Sequence, residues 1–271
     1  KNHTCMTAHS ESPHTSTIAR SACTISFAVL LSRLLGLVRE QVFAGFFGAG
    51  YAYDAFVVAF RIPNLLRDLF AEGALSAAFI TVFTDYRNKQ GASATWKLAS
   101  NVIATLIILV GGITLLGMIL SGKLVSLMSP DFSLVPGKHE LTALMTSIMF
   151  PFLLLVSLSA IAMGMLNSLN KFFIPSMASS FFNLGSILSG LLFSYCFSLL
   201  HREPIIGMAV GTLVGGLLQI GIQLPALRKE GFLFSWHLDL QDEGLRRVMR
   251  LMLPAVIGLS ATQINLFVNT F

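Results

Sequence analysis

Apolar residues run through this chain in long windows broken by short polar stretches. The windows cover roughly residues 18–47, 52–84, 97–120, 140–167, 173–199 and 204–227, and a seventh opens near 252. Each is long enough to cross a bilayer, which takes about 20 residues of helix. Between them lie GAGYAYD, DYRNKQGASATWK, SPDFSLVPGKHE, NSLNKF and LHREP. A chain in lipid must satisfy its own backbone hydrogen bonds, and a helix does so within one segment. The pattern therefore predicts an all-α, polytopic membrane helix bundle with about six complete transmembrane helices and the start of a seventh. Four regions follow: a disordered polar tail at 1–17, a six-helix transmembrane unit at 18–229, a cytoplasmic linker at 230–251, and the start of a seventh span at 252–271. In the linker, DLQDEGLRRVMRL reads as an amphipathic helix with Leu240, Leu245, Val248 and the adjoining Met252 on its apolar side, a kind that lies on membrane surfaces. The apolar run is cut at Phe271, so the sequence reads as the N-terminal portion of a longer polypeptide.

Composition agrees. The 271 residues are 54% hydrophobic and 11% charged, against about 25% charged in soluble domains. The formal net charge is +5, but no basic run is interleaved with aromatics, which argues against nucleic acid. Cys5, Cys23 and Cys196 have no metal-ligand spacing, and their odd number argues against a disulfide framework. His3, His9 and His14 belong to the flexible tail. Neither a cofactor nor a metal is expected. Gly48–Gly50 reads as a turn, since no strand precedes it.

Charge placement predicts topology. With the N-terminus in the cytoplasm, eleven basic residues lie inside (Lys1, Arg20, Arg87, Lys89, Lys97, Lys171, Arg228, Lys229, Arg246, Arg247, Arg250). Three lie outside: Lys123, Lys138 and Arg202. The remaining four, Arg33, Arg39, Arg61 and Arg67, fall within the first two windows.

Those four are the chemistry of the sequence. An arginine facing lipid at the bilayer centre costs about 2.5–3.5 kcal/mol, so they must face protein, water or a ligand. Taking Gly48–Gly50 as the apex of a helical hairpin, Arg39 and Arg61 lie roughly 13 and 16 Å below it, and Arg33 and Arg67 roughly 22 and 25 Å. Gly36 and Pro63 sit between the members of each pair, where a loosened helix can open backbone groups to a cavity. The expected arrangement is one aqueous cavity receiving Arg33, Arg39 and Arg67, with Asn64 and Asp54 at its wall. Arg61 either snorkels or pairs with Asp68 or Glu72. The competing reading is neutralisation, with Glu40, Asp54, Asp68 and Glu72 as four structural counter-ions. Burying four ion pairs is a poor source of stability, because desolvation offsets the attraction. Arginine also suits an anionic ligand, since its planar fork matches phosphate oxygens.

The stretch SRLLGLVREQVFAGFFGAGYAYDAFVVAFRIPNLLRDLFAEGALSAAF resembles the N-terminal signature of the MurJ (MviN) family, within the multidrug/oligosaccharidyl-lipid/polysaccharide exporter superfamily. The likeness continues through NSLNKFFIPSMAS and QLPALRKEG and covers about residues 20–271. The resemblance implies a lipid II flippase of the bacterial inner membrane, carrying undecaprenyl-pyrophosphate glycopeptide between leaflets, with membrane lipids as surroundings. A coupling ion or the membrane potential would drive it. It implies fourteen helices in two lobes around a central cavity, lined by arginines at the positions of Arg33, Arg39 and Arg67. Residues 18–229 would then be the first lobe and 252–271 the start of the second. It further implies a functional acid at Asp54 and a cavity position at Ala44. Glu40, Arg61 and Asp68 depart from the usual Asp, Lys and Arg. The competing functions are export of another polyprenyl-linked oligosaccharide and, from a different class, an enzyme acting on a polyprenyl diphosphate. The windows carry no Asp-rich or His-bearing motif for such an enzyme.

Overall fold

In the computed structural model the described backbone comprises residues 13–48, 50–67 and 74–268, and every regular element in it is helical. Residues 1–12 of the polar tail, together with Asp68 and Glu72, lie outside the described residues. The order is α1 (Pro13–Phe47), α2 (Tyr51–Arg67), α3 (Ala74–Ile119), α4 (Ser121–Met128), a 3-10 turn (Pro130–Leu134), α5 (Lys138–Met149), α6 (Pro151–Ser168), α7 (Phe173–Leu199), α8 (Ile206–Gly221), α9 (Gln223–Lys229) and α10 (Glu243–Val268). Helix α1 opens at Pro13, so residues 13–17, read as tail, belong to it. Proline suits a first helical position because its missing N–H would be unpaired there anyway.

Four stretches are long and apolar enough to cross a membrane: 75–119, 138–168, 173–199 and 206–229. The first is a hairpin rather than one rod. At Gly91 the backbone takes φ 83° and ψ 179°, a conformation open to glycine alone. The rings of Phe83 and Trp96 consequently meet at 5.6 Å between centroids, where a straight helix would hold them roughly 20 Å apart. Leu75, Phe79, Val102 and Val110 share the largest apolar cluster. The window at 52–84 thus comprises α2 and the first arm of α3, and the window at 97–120 is the second arm.

Hydroxyl residues are tolerated in these helices because they bond back into their own backbone. Thr105, Thr142, Thr146, Ser157 and Thr212 each donate to the carbonyl four residues earlier, at 2.7–3.0 Å.

Helices α7 and α8 approach most closely, and the reason is glycine. Gly207, Gly211 and Gly215 recur every four residues on one face of α8. A Cβ on Gly211 would fall 2.5 Å from the Gly190 Cα, and one on Gly207 would fall 2.2 Å from the Ser194 nitrogen. Small residues at this spacing let two backbones pack where the hydrophobic effect supplies no drive.

The linker departs from expectation. Its extended part is clipped to α3: the Asn101 amide donates to the Asp239 carbonyl at 2.8 Å and accepts from the Asp239 N–H at 2.9 Å. Helix α10 then starts at Glu243 and runs without a break through Pro254, joining the amphipathic segment to the seventh window. Leu245 and Val248 are 2% exposed, buried in the α3 cluster. The apolar face therefore rests on protein rather than on lipid, and Leu240 is not part of it. Arg247 reinforces the contact from the polar side by donating to Asp85 at 2.5 Å.

Candidate functional site: a cationic cavity with an aromatic wall

The arginine-bearing helices do not form the packed antiparallel pair that the hairpin geometry implies. Helix α1 packs chiefly on α7, and α2 on α5. Both remain helical throughout, including at Gly36 and Pro63. Gly36 instead makes room for Asn183, whose amide donates to the Ser32 carbonyl at 3.1 Å. No helix is broken here.

Between α1, α2 and α8 lies a cavity of about 280 Å³, lined among others by Arg39, Glu40, Phe43, Phe56, Phe60 and Thr212. Tyr53, Phe56 and Phe60 follow one another at helical spacing along α2 and stack in sequence. Phe60 continues to Phe152 on α6, and Phe152 to Phe182 on α7. The Arg39 guanidinium rests on this wall, 5.5 Å from the Phe60 centroid and 5.3 Å from that of Phe182. Ring faces are negative, so they attract a cation that has shed its water. The side chain of Arg39 is 15% exposed, whereas Glu40, its ion-pair partner at 3.9 Å, is 67% exposed. So long and exposed a contact contributes little. Arg39 is held mainly by rings, which leaves hydrogen-bonding edges for a ligand.

Arg67 ends α2, where a cation complements the helix dipole. It is half-buried, and its positive charge acts on Arg39. Arg33 is exposed and lines no part of the cavity; it follows Ser32, which Asn183 grips. Arg61 is exposed, opposite the buried face of Ala55, Ala59 and Ile62. Asn64 is half-buried, and its side-chain carbonyl is buried with no hydrogen-bond partner among the described residues. Ala44 is half-buried and accepts the Gly48 N–H at 2.8 Å, closing the end of α1.

Asp54 has a partner that the sequence reading assigned elsewhere. Its carboxylate meets the Lys138 ammonium at 3.3 Å. Lys138, counted as an outside-loop residue, is 8% exposed and lies 4.0 Å from the Phe132 ring centroid. Asp54 thus neutralises a lysine on α5 and none of the four arginines. One signal pointed this way. Lys138 opens α5, where the helix dipole disfavours a cation, so an acid was needed nearby. Phe60, Phe182 and Thr212 were also missed, since nothing in a greasy sequence distinguishes a cavity phenylalanine from a lipid-facing one. Among the described residues no three His, Cys, Asp or Glu side chains converge to hold a metal.

Comparison with known proteins bears on these features. The family model described as "Lipid II flippase MurJ" matches residues 43–271. A "Probable lipid II flippase MurJ" from Vibrio cholerae serotype O1 is 38% identical over 261 residues, covering 94% of this chain and 49% of its own length. A "Lipid II flippase MurJ" from Burkholderia cenocepacia is 36% identical over 262 residues, 93% of this chain and 49% of its own. A solved structure described as "Lipid II flippase MurJ, inward closed conformation" superposes with a TM-score of 0.70 at 26% identity, covering 90% of this chain and 49% of that one. A Vibrio cholerae MATE transporter in a bent form superposes with a TM-score of 0.74 at 16% identity, covering 96% of this chain and 57% of that one, a likeness of fold. The chain spans about half the length of the curated relatives it matches.

Proposed function

We propose, from the premise that this chain belongs to the lipid II flippase MurJ family, that its protein moves undecaprenyl-diphosphate-linked peptidoglycan precursor from the inner to the outer leaflet of the bacterial cytoplasmic membrane. The N-terminus is cytoplasmic in this reading, and Arg39 is the central contact to the diphosphate. The observation that carries it is the setting of Arg39: a guanidinium on an aromatic wall, in a cavity, with only a long contact to an exposed acid. The head of a polyprenyl diphosphate carries the charge that makes unassisted crossing slow, so a cavity must replace its hydration. A guanidinium supplies parallel donors to two phosphate oxygens. Arg67, close enough to act on Arg39, adds charge, while Arg33 and Asn64, which do not line this cavity, meet the head outside it. The polyprenyl tail stays in lipid. Asp54 acts through Lys138, holding α2 against α5. Arg61 takes no part in contact.

A membrane enzyme is disfavoured because the family the chain belongs to is one of flippases. Export of another polyprenyl-linked glycan rests on likeness of fold alone. The test is replacement of the cell's own lipid II flippase by the full-length protein. Wild type should restore growth and keep inner-leaflet lipid II low. Arg39→Ala should accumulate lipid II there at unchanged levels of folded protein. Normal lipid II export by well-expressed Arg39→Ala would overturn the reading.

A further inference from the structure

A second cavity lies apart from the first and shares no residue with it. It measures about 410 Å³ and is bounded by α3, α6, the α8–α9 junction and the extended chain after Gly231. Ile103, Ile107, Ala162, Met165 and Leu224 contribute to a lining that is apolar except for Arg228. From Leu158 to Met165 the groove follows α6 for roughly 10 Å. It opens sideways: Leu224, Leu233 and Phe234 are 43%, 75% and 45% exposed.

Its place in the bundle says what covers it. The bounding segments meet at the end where Lys171 pairs with Glu230, two residues after Arg228, and where Trp96, the neighbour of Lys97, packs on Phe232 at 5.4 Å. Trp236 packs on Phe234 at 6.1 Å. Tryptophan favours the depth of lipid headgroups, so the mouth of the groove lies at headgroup level and its body at the level of acyl chains. Arg228 is exposed, with no acid within ion-pair distance among the described residues, and the adjacent Glu230 is taken by Lys171 at 3.1 Å.

We propose that this groove binds an anionic phospholipid, with one acyl chain along α6 and the phosphate on Arg228. An apolar channel open to the bilayer excludes water and admits a hydrocarbon chain. An arginine without a counter-ion at its mouth selects a head of net negative charge. Basic pockets between helices at the membrane surface bind anionic heads by the same physics. The inference needs only a membrane setting and does not depend on the cargo proposed above.

The test is native mass spectrometry of the purified protein, delipidated and offered equal amounts of phosphatidylglycerol and phosphatidylethanolamine with matched chains. Wild type should retain phosphatidylglycerol about fivefold more, the preference one basic residue at a membrane surface confers. Arg228→Ala should abolish the preference, and Arg228→Lys should keep most of it. Ala162→Phe, which fills the groove and keeps the charge, should lower retention of both lipids. A photocrosslinker at Leu233 should label phospholipid. Equal retention of the two lipids by wild type, or a preference that survives Arg228→Ala, would overturn the proposal. So would crosslinking to protein alone.

Discussion

Lys138 at the start of α5 sits against Asp54 in the first turn of α2, 3.3 Å apart and 84 residues apart in sequence. The lysine is buried and the carboxylate half-exposed, so the pair lies between the surface and interior limits. We expect Lys138→Met or Asp54→Asn to cost on the order of 1 kcal/mol, lowering the melting temperature in detergent. The exchange Asp54→Lys with Lys138→Asp should recover part of that loss. Additive losses in the double variant would show that the pair is not coupled.

Burial of Lys138 also changes how topology should be probed. Cysteine at Lys138 would be shielded by the fold whichever side it faced. Lys89 and Lys171 have side chains 72% and 57% exposed, and Arg202 is exposed. With the N-terminus inside, cysteines at 89 and 171 should resist an impermeant thiol reagent in intact spheroplasts, and a cysteine at 202 should react. The opposite pattern reverses the orientation.

The aromatic wall should matter through Arg39. Phe60→Leu and Phe182→Leu keep apolar volume but remove the ring faces, worth about 0.5–2 kcal/mol to a desolvated cation. Transport should fall by about threefold to thirtyfold at unchanged folded protein. Arg39→Lys should fall further, because lysine offers a point charge without the fork. Wild-type transport by the double Phe60→Leu, Phe182→Leu variant would remove the wall from the mechanism.

Close packing of α7 on α8 predicts a sharp contrast between glycines. Gly211→Val drives a side chain into the Gly190 backbone and should cost about 1–3 kcal/mol or more, read as loss of folded protein on size-exclusion chromatography. Gly45 faces open space, so Gly45→Ala should leave the yield unchanged or raise it.

Sequence by itself determined the all-helical class and the apolar character of the windows, because a bilayer accepts only backbone that closes its own hydrogen bonds over a fixed thickness. It also singled out Arg33, Arg39, Arg61 and Arg67, since charge in hydrocarbon is too costly to be incidental. The polar break DYRNKQGASATWK marked where the chain turns back, but the turn residue Gly91 and the packing role of Gly207, Gly211 and Gly215 emerged only from the fold. Tertiary structure alone decided which arginine enters the cavity. Arg39 reaches it and Arg61 does not because each helix turns its own face toward a different partner, and that rotation is set by packing between distant segments. The same holds for the rings of Phe60 and Phe182 and for the union of Lys138 with Asp54. Hydropathy measures how a residue meets the membrane, but a contact between helices depends on where a third element holds them both.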